Sequence, residues 1–315
     1  MASKNFKSVK SFFRNINKNS SPAFSAPLRL CEVLFSVFFL LFFSCQSAPK
    51  TSSIFLEDSQ FAPLNSGASA YIFANAQEAR PILELLPLEE LNDKHVKQML
   101  DKTDFLVAGL FKPESGSRFQ LVTWGKYPSN SGLAFSFNKN WKKQRSPNGG
   151  SYWYSKANGI SLAMNTRQVY AAASASDNPS DPFAKENGVK IPDGFNAFRK
   201  APLSFWIDNP GPIITRMLSE AGVPLRFPVQ QLFLNLYFAQ EAGKYEAEIR
   251  FQFDNAVQAR GVATLLSLAS GFAQNIDLAS LFLANPPVQN GRNIDIKTAP
   301  LGEKELSLLL QLFPL

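Results

Sequence analysis

Two strand–turn–strand patterns, one in each half of the chain, constrain the fold more than any other feature. The clearer one ends in Tyr245–Phe253, where aromatic or aliphatic residues alternate with polar or charged ones. This alternation predicts a strand with one buried and one solvent-facing side. A turn closing on Gly243 joins it to the apolar residues 232–238, and a similar turn closing on Gly116 joins residues 106–111 to 118–124. The sequence therefore predicts two antiparallel hairpins.

Each hairpin is preceded by a strand pattern and a helix pattern. Asn75 and Asn209 stand where a helix N-cap is needed. A second helical stretch and further strand patterns follow each hairpin, giving the order β-α-β-β-α-β of the ferredoxin-like unit. The patterns are, in the first half, a strand at 70–75, helices at 76–86 and 131–137 and strands at 160–164 and 169–172, and in the second half a strand at 203–209, helices at 210–221 and 256–268 and a strand at 293–297.

The predicted fold class is therefore α+β, with two tandem β-α-β-β-α-β (ferredoxin-like) units whose antiparallel sheets are covered by helices. A single irregular α+β domain is the alternative. The predicted domains are a signal peptide (residues 1–44), a Ser-, Pro- and Ala-rich tether (45–65), a first unit (66–185) and a second unit (186–315).

The N-terminal leader has a basic stretch, an apolar run and then a cysteine, Cys45. The run covers residues 33–43, a length within the roughly 7–15 residues of a signal-peptide core and below the roughly 20 of a spanning helix. Here the chain resembles bacterial lipoproteins, whose signal peptidase cuts before a cysteine that then carries lipid. The usual pattern has Leu three positions before the cysteine and small residues next, whereas this chain has Phe42, Phe43 and Ser44. Spirochaete lipoproteins are similar in tolerating bulky residues there.

The resemblance implies that Cys45 is the lipidation site and that the protein is lipid-anchored in the cell envelope, at the outer membrane and facing the periplasm. An ordinary cleaved signal or a short uncleaved anchor is the alternative reading of the same residues.

Charge and cysteine content exclude several classes of protein. The chain carries a formal net charge of +7, and residues 1–44 hold six basic groups and one acid, so the mature part is close to neutral. This removes the main support for nucleic-acid binding. The other cysteine, Cys31, leaves with the leader, so the mature chain has no thiol for a disulfide or a Cys-based metal site.

Catalytic patterns are missing from the sequence. His95 is the single histidine and lies in a charged helical stretch, where a solvated surface role is expected. The phosphate-binding Gly-rich loop, the zinc-binding His-Glu-x-x-His and the hydrolase Gly-x-Ser-x-Gly are not found. We expect no enzyme activity, no catalytic residue, no cofactor and no metal.

Basic and aromatic residues are interleaved between positions 138 and 154. Trp141, Lys142 and Lys143 are followed by Trp153 within Tyr-Trp-Tyr. Such a mixture suits a membrane interface, where rings lie at headgroup level and cations meet anionic lipid. A sugar-stacking surface, or a solvated loop beside a buried strand, fits the same residues.

A helical stripe of apolar residues follows residue 261. Leu265, Phe272 and Ile276 belong to it, and the other side of the predicted helix carries Ser, Thr, Gln and Asn with almost no charge. This composition favours contact with lipid or with a partner protein. A core helix packed on the sheet is the alternative.

The leading functional hypothesis is a non-enzymatic envelope lipoprotein that contacts the membrane or an envelope partner through amphipathic helices. Its partners would be membrane lipid, through acylated Cys45, and an envelope protein. The alternative is a periplasmic binding protein that holds a small apolar or lipidic ligand between the two units.

Overall fold

The computed structural model describes residues 61, 63–83, 101–111, 117–129, 135–136, 139–147, 149–156, 159–174, 181–182, 189–220, 226–272 and 285–306. Cys45, His95 and Ile276 lie outside these ranges. The described strands are β1 (Ala70–Asn75), β2 (Thr103–Leu110), β3 (Ser117–Gly125), β4 (Trp141–Arg145), β5 (Ser151–Ser155), β6 (Ile160–Met164), β7 (Gln168–Ser174), β8 (Leu203–Asp208), β9 (Val229–Phe238), β10 (Tyr245–Phe253), β11 (Val288–Asn290) and β12 (Asn293–Lys297). The helices are α1 (Ala76–Leu83), α2 (Asp193–Phe198), α3 (Gly211–Glu220) and α4 (Ala256–Phe272).

The strands form one twelve-stranded sheet in the order β11-β12-β10-β9-β8-β1-β2-β3-β7-β6-β5-β4. Every neighbouring pair is antiparallel. The middle of the sheet is the pair β1–β8, in which Ile72 lies opposite Phe205. On its other side β1 pairs with β2, and Ile72 lies opposite Ala108.

This topology shows that the predicted fold class, two tandem ferredoxin-like units, is wrong. In a ferredoxin-like unit the first strand pairs with strands of its own unit, whereas β1 pairs with β8 of the other half of the chain. The sheet also runs without interruption from one half of the chain to the other. Across the β1–β8 pair the rings of Tyr71 and Trp206 stack with their centroids 4.6 Å apart. The alternative hypothesis placed a ligand between two separate units, but at the β1–β8 pair the two halves of the chain are joined in one sheet.

Both sides of the central strands are buried, because each side has its own cover. One side, the helix-covered face, includes Ala70, Ile72 and Ala74 of β1 and packs against α1, α3 and α4. The other side, the aromatic face, includes Tyr71 and Phe73 of β1. It is covered by α2 and by the segment that precedes β1, with these buried aromatic and aliphatic side chains: Phe61, Leu64, Phe195 and Phe198.

The strand predicted from alternation is β10, and its sides are as expected except near its end, where Gln252 is buried. Tyr245, Ala247 and Ile249 are buried on the helix-covered face. On the opposite side Glu248 and Arg250 are half-buried. This side of β10 and β12 is polar, whereas Phe233 of β9 is buried in the aromatic face, which therefore ends at β9.

Charged residues cross-link the polar side of β10 and β12. Arg250 donates to Asp295 twice, at 2.6 Å from Nε to Oδ1 and 2.9 Å from Nη2 to Oδ2. Lys297 Nζ lies 2.6 Å from Glu248 Oε1, and the Tyr237 hydroxyl donates to the same carboxylate at 3.2 Å. Burial, reinforced by the Glu248 charge, raises the pKa of Tyr237 to about 12.

A second polar cluster lies inside the first half of the sheet. The Tyr127 hydroxyl is 3.1 Å from Thr103 Oγ1 and 2.7 Å from Thr123 Oγ1, and all three residues are buried. Burial raises the pKa of Tyr127 to about 12, although both hydroxyl contacts act in the opposite direction. The cluster ties the start of β2 to the end of β3.

The four strands β4 to β7 follow β3 where the ferredoxin-like prediction required a single helix and a strand. The predicted helix at 131–137 falls largely outside the described residues, where Phe135 and Ser136 are helical. The predicted strands at 160–164 and 169–172 are β6 and β7. The hairpin β4–β5 was not predicted, because Lys, Gln and Arg in β4 have low strand propensity.

Candidate membrane-contact and partner-contact surfaces

Helix α4 begins at a clear N-cap. The side chain of Asn255 accepts hydrogen bonds from the backbone N–H groups of Val257 and Gln258, at 3.1 and 3.0 Å. These bonds satisfy two donors that a helix start leaves unpaired. The helix then runs for 17 residues, about 26 Å at 1.5 Å per residue.

One side of α4 covers the sheet. Ala259 and Val262 are buried in the core of the helix-covered face, with Ala263 and Leu266 partly buried beside them. The helix packs against β10, β11 and β12. Burial of this side explains why α4 stays helical without strong charge pairing.

The opposite side of α4 faces solvent and is unusually apolar. Val257 is 80% exposed and Leu265 is 45% exposed. The neighbouring exposed residues Gly261 and Thr264 carry no charge, and Arg260 is the single charged residue in the helix. We call Val257, Gly261, Thr264 and Leu265 the outer surface of α4.

Of the three predicted stripe residues, Leu265 is the one whose side chain the structure describes. Leu265 belongs to the outer surface and not to the side that covers the sheet. Phe272 is the last residue of α4, and its side chain is outside the described set; Ile276 lies beyond it. The buried side is instead formed around Ala259 and Val262. The helical spacing identified a helix with few charges, but it did not identify Leu265 as a residue of the exposed side.

Two exposed apolar residues near this region were missed by the sequence analysis. Val257 precedes the predicted stripe, and Val288 of β11 is 62% exposed. Because α4 packs against β11, Val288 lies on an element that borders the helix. A single valine in a short polar strand gives no sequence signal, so only the structure could reveal its exposure.

The basic–aromatic residues form the opposite edge of the sheet. Trp141 is 7% exposed, and its ring packs edge-on against Phe135 with centroids 4.9 Å apart. Trp153 is half-buried, and Lys143 Nζ lies 6.0 Å from the centre of its ring. Lys142 and Lys143 are exposed. The tryptophans are therefore packed into the fold, and the lysines are the accessible part of this patch.

The two surfaces are far apart. β10 is the third strand of the sheet and β4 the twelfth, so about 43 Å of sheet separates them at roughly 4.8 Å per strand. Over nine steps the usual twist of 20–25° per strand adds up to roughly half a turn. The structure does not bring the predicted contact residues into one site; they form two separate surfaces.

In the described ranges no group of three or more His, Cys, Asp and Glu side chains is arranged to hold a metal ion. None of the helices searched is both long and apolar enough to span a bilayer.

Comparison with known proteins provides the family. The family model for the outer membrane-associated lipoprotein TP0453 matches residues 59–292. Similar solved structures include crystal form III of TP0453, at 17% identity and a TM-score of 0.56, which covers 80% of this chain and 98% of that one. Crystal form I gives 17% and 0.54, covering 81% and 97%, and crystal form IV gives 16% and 0.54, covering 79% and 95%. No protein with curated annotation matches.

The structural matches establish a shared fold, and the family model spans most of the chain, including all twelve strands except the last. The family model points to a lipoprotein of the cell envelope, in agreement with the prediction from the leader. The chain belongs to the family of the outer membrane-associated lipoprotein TP0453, which confirms the predicted localisation in the cell envelope at the outer membrane.

Proposed function

We propose that Cys45 carries the lipid anchor and that the folded part rests on the membrane through the outer surface of α4. The protein then acts without catalysis, as a lipid-anchored envelope component whose orientation on the bilayer is set by this helix. The observation that carries the proposal is the exposure of Val257 and Leu265 on a helix with one charged residue in 17.

A helix on the surface of a soluble protein usually carries Lys and Glu on its solvent side. The outer surface of α4 has Gly261 and Thr264 instead, and the Thr264 hydroxyl donates to the Arg260 carbonyl at 3.0 Å, so its own polarity is partly satisfied. The free-energy cost of removing such a surface from water is therefore small. It suits a position parallel to the bilayer at the boundary of headgroups and acyl chains.

Cationic side chains stand at the first turn of this helix. Arg260 is exposed one turn after the cap. Arg292, also exposed, lies nearby, because its carbonyl accepts the Phe253 N–H at 2.9 Å just before the helix begins. Guanidinium groups at this end would meet anionic headgroups while Val257 and Leu265 contact acyl chains.

The size of each contribution separates anchoring from orientation. Burial of a Val or Leu side chain is worth roughly 1.5–3 kcal/mol when complete, and both are partly covered already. One long acyl chain contributes about 10 kcal/mol at about 0.8 kcal/mol per CH₂ and binds reversibly, whereas the several chains of a mature lipoprotein together give stable anchoring. The lipid on Cys45 therefore holds the protein at the membrane, and α4 determines which side faces the bilayer.

The experiment uses a single introduced thiol as a reporter. With Cys31 removed and Cys45 acylated, the mature chain has no other reactive thiol, so Val257→Cys and Leu265→Cys can each be labelled with an environment-sensitive fluorophore. Thr166→Cys is the matched control, because Thr166 is exposed in the turn between β6 and β7. The labelled lipoproteins are reconstituted in liposomes that contain anionic lipid.

The labels at positions 257 and 265 should shift to the blue and be quenched by brominated acyl chains, whereas the label at 166 should stay accessible to an aqueous quencher. Equal aqueous accessibility at all three positions would refute contact between α4 and lipid. Mass spectrometry of the N-terminal peptide from native envelopes tests acylation of Cys45 independently.

A further inference from the structure

Strand β4 is an edge strand with a fixed conformation. In the described part of the chain it has β5 as its single neighbour. Trp141 holds it on the helix-covered side, and on the other side the strand it pairs with contributes the buried rings of Tyr152 and Tyr154. A strand packed in this way keeps its extended shape, while no described strand pairs with its other edge.

The turn between β4 and β5 shows which backbone groups point away from the sheet. Ser146 N–H donates to the Gly150 carbonyl at 3.3 Å, so these two residues form a hydrogen-bonded pair. Hydrogen-bonded and non-hydrogen-bonded pairs alternate in an antiparallel ladder. Gln144 and Lys142 are therefore bonded to β5, whereas the N–H and C=O groups of Trp141, Lys143 and Arg145 point outward.

The open edge is strongly basic. Lys142, Lys143 and Arg145 are all exposed, and β4 and β5 contain no acidic residue. Among the described residues, the carboxylate of Asp181 contacts this hairpin and accepts a hydrogen bond from Ser146 Oγ at 2.6 Å at the turn. Lysines on an edge strand oppose pairing with a second copy of the same edge, but they favour an acidic strand.

Lys143 and Arg145 are two residues apart, so their side chains lie on the same side of the sheet, and Lys142 lies on the other. A strand that pairs with β4 would place side chains roughly 4.5–5.5 Å from each of them. Carboxylates at every second position of that strand would match Lys143 and Arg145 together.

We propose that β4 docks an extended acidic segment of another envelope protein, which joins the sheet as an additional strand next to β4. Backbone bonds to Trp141, Lys143 and Arg145 provide the pairing, as in other cases of strand addition. The three cations select for acidic sequence and set the register. The surface is separate from the outer surface of α4, so it does not depend on the proposed lipid contact.

The test measures binding of a fluorescent peptide to the mature lipoprotein in nanodiscs of zwitterionic phosphatidylcholine. The peptide has roughly ten residues, enough to cover a strand, with Glu and Thr alternating. A control peptide of the same sequence carries backbone N-methyl groups at alternate residues, which keep its charge but remove the pairing donors. Fluorescence anisotropy reports the dissociation constant.

Two variants separate backbone pairing from charge. Lys143→Pro removes an outward N–H without breaking a bond to β5, and Lys143→Gln removes the charge alone. We expect binding about tenfold or more weaker for the proline variant, since lost backbone bonds add to the lost charge, and a smaller loss for the glutamine variant. The N-methylated peptide should not bind.

A charge-reversal variant keeps the test decisive if the proline variant does not fold. Lys143→Glu combined with Arg145→Glu should lose the Glu–Thr peptide and gain a Lys–Thr peptide of equal length. Equal binding of the N-methylated peptide would overturn the proposal, because it would show charge attraction alone. So would an absence of peptide binding, self-association through β4, or binding of β4 to anionic nanodiscs in place of the peptide.

Discussion

Replacing Tyr127 by Phe tests the buried hydroxyl cluster that joins β2 to β3. The Tyr127 side chain is 5% exposed, and its oxygen lies 3.1 and 2.7 Å from the hydroxyls of Thr103 and Thr123, which are 0% and 1% exposed. Removing this oxygen deprives two buried hydroxyls of a partner. The free energy of unfolding should fall by roughly 1–3 kcal/mol at neutral pH.

The same change should alter the response to alkaline pH. The pKa of Tyr127 is about 12 in the folded protein and about 10 in an unfolded chain. Because folding favours the neutral phenol, this stabilisation is complete below pH 10 and is lost as the pH rises from about 10 to about 12. At about 1.4 kcal/mol per pH unit the total loss is about 2–3 kcal/mol. Phenylalanine does not ionise, so the variant escapes this loss.

The assay is urea unfolding, followed by tryptophan fluorescence, of the wild type and the variant at a series of pH values. The stability advantage of the wild type should shrink above about pH 10 and approach zero or reverse near pH 12. Losses from the other tyrosines, including Tyr237, are common to both proteins and cancel in the difference. A difference that stays constant from neutral to high pH would refute the argument that Tyr127 is buried as a neutral group.

Three other changes test local features. Gly125→Ala would place a Cβ 2.0 Å from the Lys102 carbonyl oxygen, so we expect a loss of about 1–3 kcal/mol or more in unfolding free energy; a stability equal to wild type in urea unfolding would contradict this contact. Asn255→Ala removes the cap of α4 and should lower the free energy of unfolding by about 1 kcal/mol. Amide hydrogen exchange should become faster mainly in the first turn of α4. An equal change along the whole helix would contradict the role of Asn255 as a cap. Asp295→Ala leaves half-buried Arg250 without its paired acceptor and should cost about 1–2 kcal/mol, a loss that salt reduces; a neutral effect on the urea midpoint would show that the pair is solvent-screened.

The sequence predicted local structure better than strand pairing. Alternation identified β10, the turn at Gly243 closed the β9–β10 hairpin, and Asn75 caps α1, with its side chain accepting the Glu78 N–H at 3.3 Å. These features depend on residues close in sequence. The pairing of β1 with β8 depends on two strands far apart in the chain, and both strands are apolar on each side. Nothing in such a pattern tells which strand will lie beside β1 in the sheet.

The candidate surfaces were predicted in part. The interleaving of Trp and Lys predicted a contact surface at the residues that form β4 and β5. Trp141 is nevertheless buried. The sequence could not decide this, because a tryptophan ring between polar residues fits a protein core as well as an interface. Leu265 is 45% exposed, and its contact with lipid or a partner protein stays a prediction. Val257 was missed, since a valine beside Asn255 and Gln258 gives no periodic signal. Exposure is a property of the whole sheet and its cover.

The central position of the β1–β8 pair has a consequence for biogenesis. Leu203 is synthesised about 130 residues after Asn75, and contacts over such distances form late. Until β8 is synthesised, β1 is an unpaired edge strand with apolar side chains on both of its sides. We therefore expect the unfinished chain to need a chaperone until β8 is available, and a truncation before residue 203 to aggregate and not to fold as half of the protein.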